Sequence, residues 1–295
     1  MYLCKKKIMK REKKPIVALI YDFDGTLSPG NMQEYSFIEA VGQNKDDFWA
    51  KTALMAKEQD SDNILVYMLL MLQKAKEMGI SLRRESFQKF GEKVELFNGV
   101  KEWFKRIKKF GEENGVIVEH YINSSGMKEI IEGTPIAKEF KTIFACSYYY
   151  DENGDAMWPA AAVNYTNKTQ FLFKINKGIF SISDSVKINE SVPEEKKRVA
   201  FRNMVYFGDG ETDVPCMKLI KQLGGTAVAV YEPNNKKKHE SAKNLIKQQR
   251  VNYVCPADYS IGKNLDNLVK KIICKIKADE DLLKMSESFK KNNYE

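Results

Sequence analysis

Two carboxylates one residue apart, in Asp22-Phe23-Asp24-Gly25-Thr26, close the almost unbroken apolar run from Pro15 to Tyr21. Two further polar turns carry similar chemistry: Asn123-Ser124-Ser125-Gly126, and Gly208-Asp209-Gly210-Glu211-Thr212-Asp213. Carboxylate oxygens are hard ligands of the kind magnesium takes. A hydroxyl beside backbone N–H groups at a helix start suits the oxygens of a phosphate. If each turn follows a strand of one parallel sheet, all three converge on one edge of it, the arrangement a phosphate-and-metal site needs.

Those turns require strands to carry them. The run from Pro15 to Tyr21 suits a central parallel strand covered on both faces. From about Gly30 to Asn98 the period becomes helical, with segments over 46–57 and 60–78 and no strand. Asp46 and Asp60 or Ser61 stand as N-caps there, and Gly79 as a stop. This region reads as an all-helical insertion. The α/β rhythm resumes at Gly99 with a helix to Phe110, a strand over 115–122, and the Ser124 turn opening another helix. A strand over 142–150, the turn Asp151 to Gly154 and a return over 158–165 form a hairpin, Asn-Gly being a strong turn signal. A helix follows Lys168, then strands over 203–207, 226–231 and 251–254, then a closing helix over 265–276. The fold class expected is α/β, a doubly wound, mostly parallel Rossmann-like sheet.

The formal charge of +8 is uneven: seven Lys and Arg oppose one acid, Glu12, in the first fourteen residues, leaving only +2 on the rest. A solvated tail accounts for that excess more simply than a polyanion-binding arm, so the nearly neutral body argues against nucleic acid as partner. No apolar stretch is long enough for a membrane span or a signal sequence, and the expected location is cytoplasmic. Five scattered cysteines with no CxxC pair fit reduced thiols. The division expected is a basic tail over 1–14, an α/β core over 15–29 and 98–279, the helical insertion over 30–97 and a polar tail over 280–295. The oligomeric state is left open.

In order and spacing the motifs resemble those of the haloacid dehalogenase-like (HAD) hydrolase superfamily, from about residue 16 to 260 outside the insertion. Asp22-Phe23-Asp24-Gly25-Thr26-Leu27 matches the first motif, the Ser124 turn the second, a lysine near a helix start the third and Gly208 to Asp213 the fourth. The resemblance implies a magnesium-dependent phosphatase for a small phosphorylated substrate. Asp22 would be the nucleophile, forming an aspartyl phosphate. Asp24, set to a different side of the chain, would be general acid and then base. Dehalogenase members lack a carboxylate there, so Asp24 favours phosphoryl transfer. The Mg2+ ligands implied are the Asp22 side chain, the Asp24 backbone carbonyl and the Asp209 side chain, with Asp213 approaching through water or holding the lysine. Ser124, helped by the N–H groups of Ser125 and Gly126, would hold the phosphate. Lys168 is preferred as the site lysine over Lys174 and Lys177 because it begins a helix.

The insertion falls where the superfamily places a helical cap, with Ser28-Pro29-Gly30 as hinge. The layout is nearest the phosphoserine-phosphatase-like group. There a glutamate nine residues after the nucleophile reads the substrate amine; here that position is Asn31, with Glu34 three residues later. Arg83 and Arg84 are candidates to face a substrate carboxylate, against simple solvation, and the stretch from Tyr67 to Met78 reads as helix-packing core. The histidines, His120 and His239, read as structural. Two alternatives remain at this level: a phosphotransferase or mutase of the same superfamily, and a non-catalytic nucleic-acid-associated module using the basic arm.

Overall fold

A computed structural model describes residues 14–184 and 186–294. The basic tail, apart from Lys14, lies outside them. Seven strands form one sheet in the order β4-β3-β2-β1-β5-β6-β7. They are β1 (Ile16–Tyr21), β2 (Ile117–Met127), β3 (Thr142–Tyr150), β4 (Ala156–Ala161), β5 (Met204–Gly208), β6 (Thr226–Tyr231) and β7 (Tyr253–Pro256). All neighbours pair parallel except β3 and β4, the hairpin turned at Asp151 to Gly154. The fold class is the α/β one expected.

The centre of the sheet explains its sequence. Val17 to Tyr21 of β1 and all five residues of β5 are buried, as strands covered by helices on both faces must be. Burying each large apolar side chain contributes about 1.5–3 kcal/mol relative to leaving it exposed. Beside β1 the strand order reverses, β2 on one side and β5 on the other, with Tyr21 level with both Ile122 and Phe207. That reversal opens a crevice at the carboxyl ends, where open α/β sheets bind ligands.

Between β1 and β2 run α1 (Phe37–Ala40), α2 (Lys45–Glu58), α3 (Asn63–Glu77), α4 (Arg84–Gly91) and α5 (Val100–Glu113). The caps differ from those expected. Asn44, not Asp46, caps α2, and Asp62 caps α3 by accepting from Ile64 and Leu65 N–H. Gly79 does follow α3, at φ +67°. Beyond β2 come α6 (Lys128–Glu132), α7 (Lys168–Lys177), α8 (Val186–Asn189), α9 (Val214–Gln222), α10 (Lys236–Lys247) and α11 (Asn264–Tyr294).

Two helices depart from the sequence reading. α10 was not anticipated, because its single fully buried side chain, Ala242, leaves almost no apolar stripe. α11 continues to Tyr294 in place of a tail over 280–295. No Gly or Pro interrupts it, and Lys275–Asp279 and Lys277–Asp281 pairs support its polar part. No helix among the described residues is long and apolar enough to cross a membrane.

Candidate active site

The first motif leaves β1 in a tight turn. Asp22 N–H still donates to Phe207 O of β5 at 2.9 Å, after which the N–H groups of Thr26, Leu27 and Ser28 all point at Phe23 O. Gly25 sits at φ +71°, and a Cβ there would lie 2.3 Å from Asp209 Oδ2. Glycine is therefore required both by the backbone and by the carboxylate packed over it. Residues two apart on an extended strand share a face; it is this turn, not an extended backbone, that separates the two acids. Asp24 Oδ1 accepts from Met32 N–H at 2.9 Å, while Asp22 Oδ1 faces Lys168 Nζ at 3.3 Å.

The fourth motif supplies the other acids at the end of β5. Asp22, Asp209 and Asp213 offer one carboxylate oxygen each within 4.8 Å of one another. Asp213 Oδ1 accepts from Lys168 Nζ at 2.6 Å and from Tyr206 Oη at 2.8 Å, so it holds the lysine, one of its two anticipated tasks, while staying within the acidic cluster that the other requires. Lys168 begins α7 fully buried. Lys174 and Lys177 instead donate to backbone carbonyls of the 181–190 stretch, away from the acids.

Asp22 and Asp213 share the Lys168 ammonium and Asp209 faces only the half-exposed Lys238, which leaves an excess of buried negative charge. Burial, then Asp213 and Asp209, against the pull of Lys168, push the Asp22 carboxyl up to about 7. Burial and Asp22 raise Asp24 well above the usual carboxylate range, and burial raises Asp209. Burial works against the Lys168 ammonium, but Asp213 and Asp22 outweigh it and hold the lysine charged.

The second motif is an irregular extension of β2, its register with β3 shifting between Asn123 and Met127. Gly126 N–H, expected to face the phosphate, donates to Ser124 Oγ at 3.0 Å. Ser125 Oγ is buried without a hydrogen-bond partner among the described residues, and Ser125 O accepts from Tyr67 Oη of α3 at 2.7 Å.

These motifs line one cavity of about 520 Å3. Asp22, Asp24, Ser124, Ser125, Gly126 and Asp209 form its floor; Asn31, Gln33, Glu34, Trp49, Ile64 and Tyr67 form the wall from the helical insertion. Tyr67 thus lines the site as well as packing the helix. Lys238 of α10 also reaches it, 3.0 Å from Asp209 Oδ2. It went unseen because the charged segment 236–238 has no spacing that distinguishes one lysine from a solvated face. Arg83 and Arg84 do not line the cavity: Arg84 lies over the Tyr150 ring and near Glu129 and Glu132. Of the histidines, His120 is buried between Tyr21 and Phe104, and His239 stacks on Tyr231.

The fold is the haloacid dehalogenase-like one in its phosphoserine-phosphatase-like form. Solved structures with it include a HAD family hydrolase from Salmonella enterica serovar Typhi (TM-score 0.55, 14% identity, 88% of this chain and 72% of that one). A probable phosphoserine phosphatase from Vibrio cholerae gives a TM-score of 0.54 at 13% identity, over 90% of this chain and 67% of that one. A substrate-bound phosphoserine phosphatase gives 0.51 at 15% identity, over 88% and 99%. In sequence, the chain is 30% identical over 290 residues to an uncharacterized protein of Borreliella burgdorferi, covering 89% of this chain and 98% of that protein, and it belongs to the same family. No protein-family model matches.

Proposed function

We propose that the protein is a magnesium-dependent phosphomonoesterase that acts on a small phosphorylated metabolite in the cytoplasm, with Asp22 as nucleophile. The observation carrying this reading is the placement of the Asp22 carboxylate on the cavity floor, 3.3 Å from Lys168 Nζ and clustered with Asp209 and Asp213. The same reading divides the chain into a core over 15–29 and 98–279 and a cap over 30–97.

The donor set suits a hard divalent cation. Asp22 Oδ1 is buried with no hydrogen-bond partner among the described residues, its contact with Lys168 being an ion pair only, and the nearby carboxylates repel one another. Asp22 and Asp209 through their side chains, and Asp24 through its backbone carbonyl, would hold Mg2+. Bound there, the ion would neutralise phosphate charge and lower the repulsion between nucleophile and substrate.

The chain's own groups account for the remaining steps. Lys168, fixed by Asp213, keeps a positive charge beside Asp22 and the phosphate. An Asp22 oxygen attacks phosphorus as the bond to the leaving oxygen breaks, and Asp24 gives that oxygen its proton. The raised pKa of Asp24 keeps a proton available for this. Water then attacks the aspartyl phosphate, Asp24 takes its proton, and Asp22 is released with inorganic phosphate. Ser124 and Ser125 hydroxyls bind the non-bridging oxygens. The insertion wall over the floor excludes bulk water during the first transfer.

A phosphate-release screen over phosphorylated amino acids, amino alcohols, sugars and nucleotides, with and without magnesium, tests this function. Release from at least one of them, dependent on magnesium and absent in Asp22→Asn, is the expected result. Undiminished release in that variant would overturn the mechanism.

A further inference from the structure

We propose that the leaving group of the substrate carries an ammonium group and no carboxylate, making the substrate the phosphomonoester of a small amino alcohol. This deepens the phosphatase reading and rests on it for the position of the phosphate.

Asp24 sets the direction. As the group that protonates the leaving oxygen it must lie beside that oxygen, and its carboxylate is held by Met32 N–H, inside the short turn from Met32 to Tyr35. The leaving group therefore extends toward the insertion wall, whereas Lys238 sits at Asp209. At that wall the chemistry is anionic and aromatic. Glu34 Oε1 accepts from Asn31 Nδ2 at 2.6 Å and from Trp49 Nε1 at 2.8 Å. Among the described residues its Oε2 has only Lys45, at 3.9 Å, a side chain 61% exposed. Gln33 is buried, and its Oε1 has no hydrogen-bond partner among the described residues.

The two rings of the wall are fixed by their own polar atoms, Trp49 by Glu34 and Tyr67 by Ser125 O. They meet at 74° with centroids 5.9 Å apart, forming a corner. Aromatic surface next to a carboxylate attracts a cation, and the unpartnered Gln33 oxygen accepts an N–H. Among the described residues no Arg or Lys stands in this wall to complement a carboxylate: Lys45 pairs with Glu34 without lining the cavity, the lining Lys238 is held at Asp209, and Arg84 is committed to Glu129, Glu132 and Tyr150. Asn31, where the phosphoserine-phosphatase-like group carries its amine-reading glutamate, serves here to orient Glu34.

Non-hydrolysable phosphonates test this on the magnesium-loaded protein by calorimetry, independently of turnover. The ligands are 3-aminopropylphosphonate, its neutral isostere butylphosphonate, and 2-amino-4-phosphonobutyrate, which adds a carboxylate. The amine should bind about tenfold or more tightly than either of the others. In Glu34→Gln, which keeps an acceptor for Trp49, its affinity should fall to that of butylphosphonate. Equal binding of the neutral isostere, tighter binding of the carboxylate ligand, or a preference that survives Glu34→Gln would each overturn the proposal. Failure of the phosphatase reading would register separately, as absent magnesium-dependent phosphate release from every phosphomonoester of the screen.

Discussion

Lys168 Nζ and Asp213 Oδ1 lie 2.6 Å apart, and solvent reaches neither side chain. A pair this deep is costly to break from one side only, because the remaining charge is left uncompensated. Lys168→Met is expected to lower unfolding free energy by about 3–5 kcal/mol and to abolish turnover. Asp213→Asn should be similarly damaging alone. The double variant should be less destabilised than the sum of the two, and denaturant unfolding of all four proteins measures that coupling.

Tyr206 Oη is the other donor to Asp213 Oδ1, at 2.8 Å from within β5. Tyr206→Phe removes one hydrogen bond and nothing of the packing, so stability should fall by about 1–2 kcal/mol. If the hydroxyl positions Asp213 for Lys168, kcat should fall severalfold with KM nearly unchanged. A purely structural role would leave kcat intact in the folded variant, and steady-state kinetics well below the melting temperature separates the two.

The strand ends were legible in the sequence because an apolar run that stops at an acid can be read locally: Tyr21 before Asp22, and Gly208 before Asp209. The site lysine was harder. Lys168, Lys174 and Lys177 lie on one helix and differ only in what they meet, Asp22 and Asp213 in one case and backbone carbonyls in the others. Lys238 was illegible for the same reason, its partner Asp209 being brought to it by the β5–β6 crossover alone. The caps of α2 and α3 shifted by two residues or fewer, because several neighbouring Asn and Asp side chains can serve and the backbone decides among them.

Two glycines separate backbone strain from loss of the site. Gly25 and Gly79 have similar dihedrals, φ +71° and +67°, but only Gly25 has Asp209 against the position of its Cβ. Gly79→Ala should cost about 1 kcal/mol, the price of the left-handed conformation. Gly25→Ala should cost more and should also weaken magnesium binding by tenfold or more, about 1.4 kcal/mol, since it displaces Asp209. Magnesium titration by calorimetry on both variants distinguishes these outcomes.

Trp103 Nε1–H donates to Tyr21 Oη, Tyr21 lies 3.1 Å from His120 Nδ1, and His120 Nε2 faces Phe104 O at 3.3 Å. This chain is consistent with a neutral imidazole that donates from Nε2 and accepts at Nδ1. Burial, with Lys108, lowers its pKa from 6.5 to about 3. The unfolded chain therefore binds a proton that the native state refuses between those values. The stability His120 contributes is complete above about 6.5 and is lost as pH falls toward 3. In His120→Gln the corresponding pH slope should vanish, read as the difference between variant and wild-type melting temperatures across pH 4–7.

Asp22 should show the opposite slope. Its carboxyl is pushed up to about 7, by burial first and then by Asp213 and Asp209, from an ordinary value of 3.8. Between those values the native state holds a proton that the unfolded chain has released, so metal-free stability falls as pH rises from about 4 to 7 and stays low above. Asp22→Asn replaces the strained carboxylate with a neutral group of the same shape. In the presence of a chelator at pH 8 the variant should melt a few degrees above wild type, and the gap should close near pH 5, where wild-type Asp22 is protonated. Magnesium should then raise the wild-type melting temperature and leave the variant nearly unmoved, since binding to the native state alone stabilises it. A variant that melts below wild type at pH 8 without metal would mean that the Lys168 contact outweighs burial and carboxylate repulsion at Asp22. In that case the nucleophile would be stabilised in its charged form before any cation arrives.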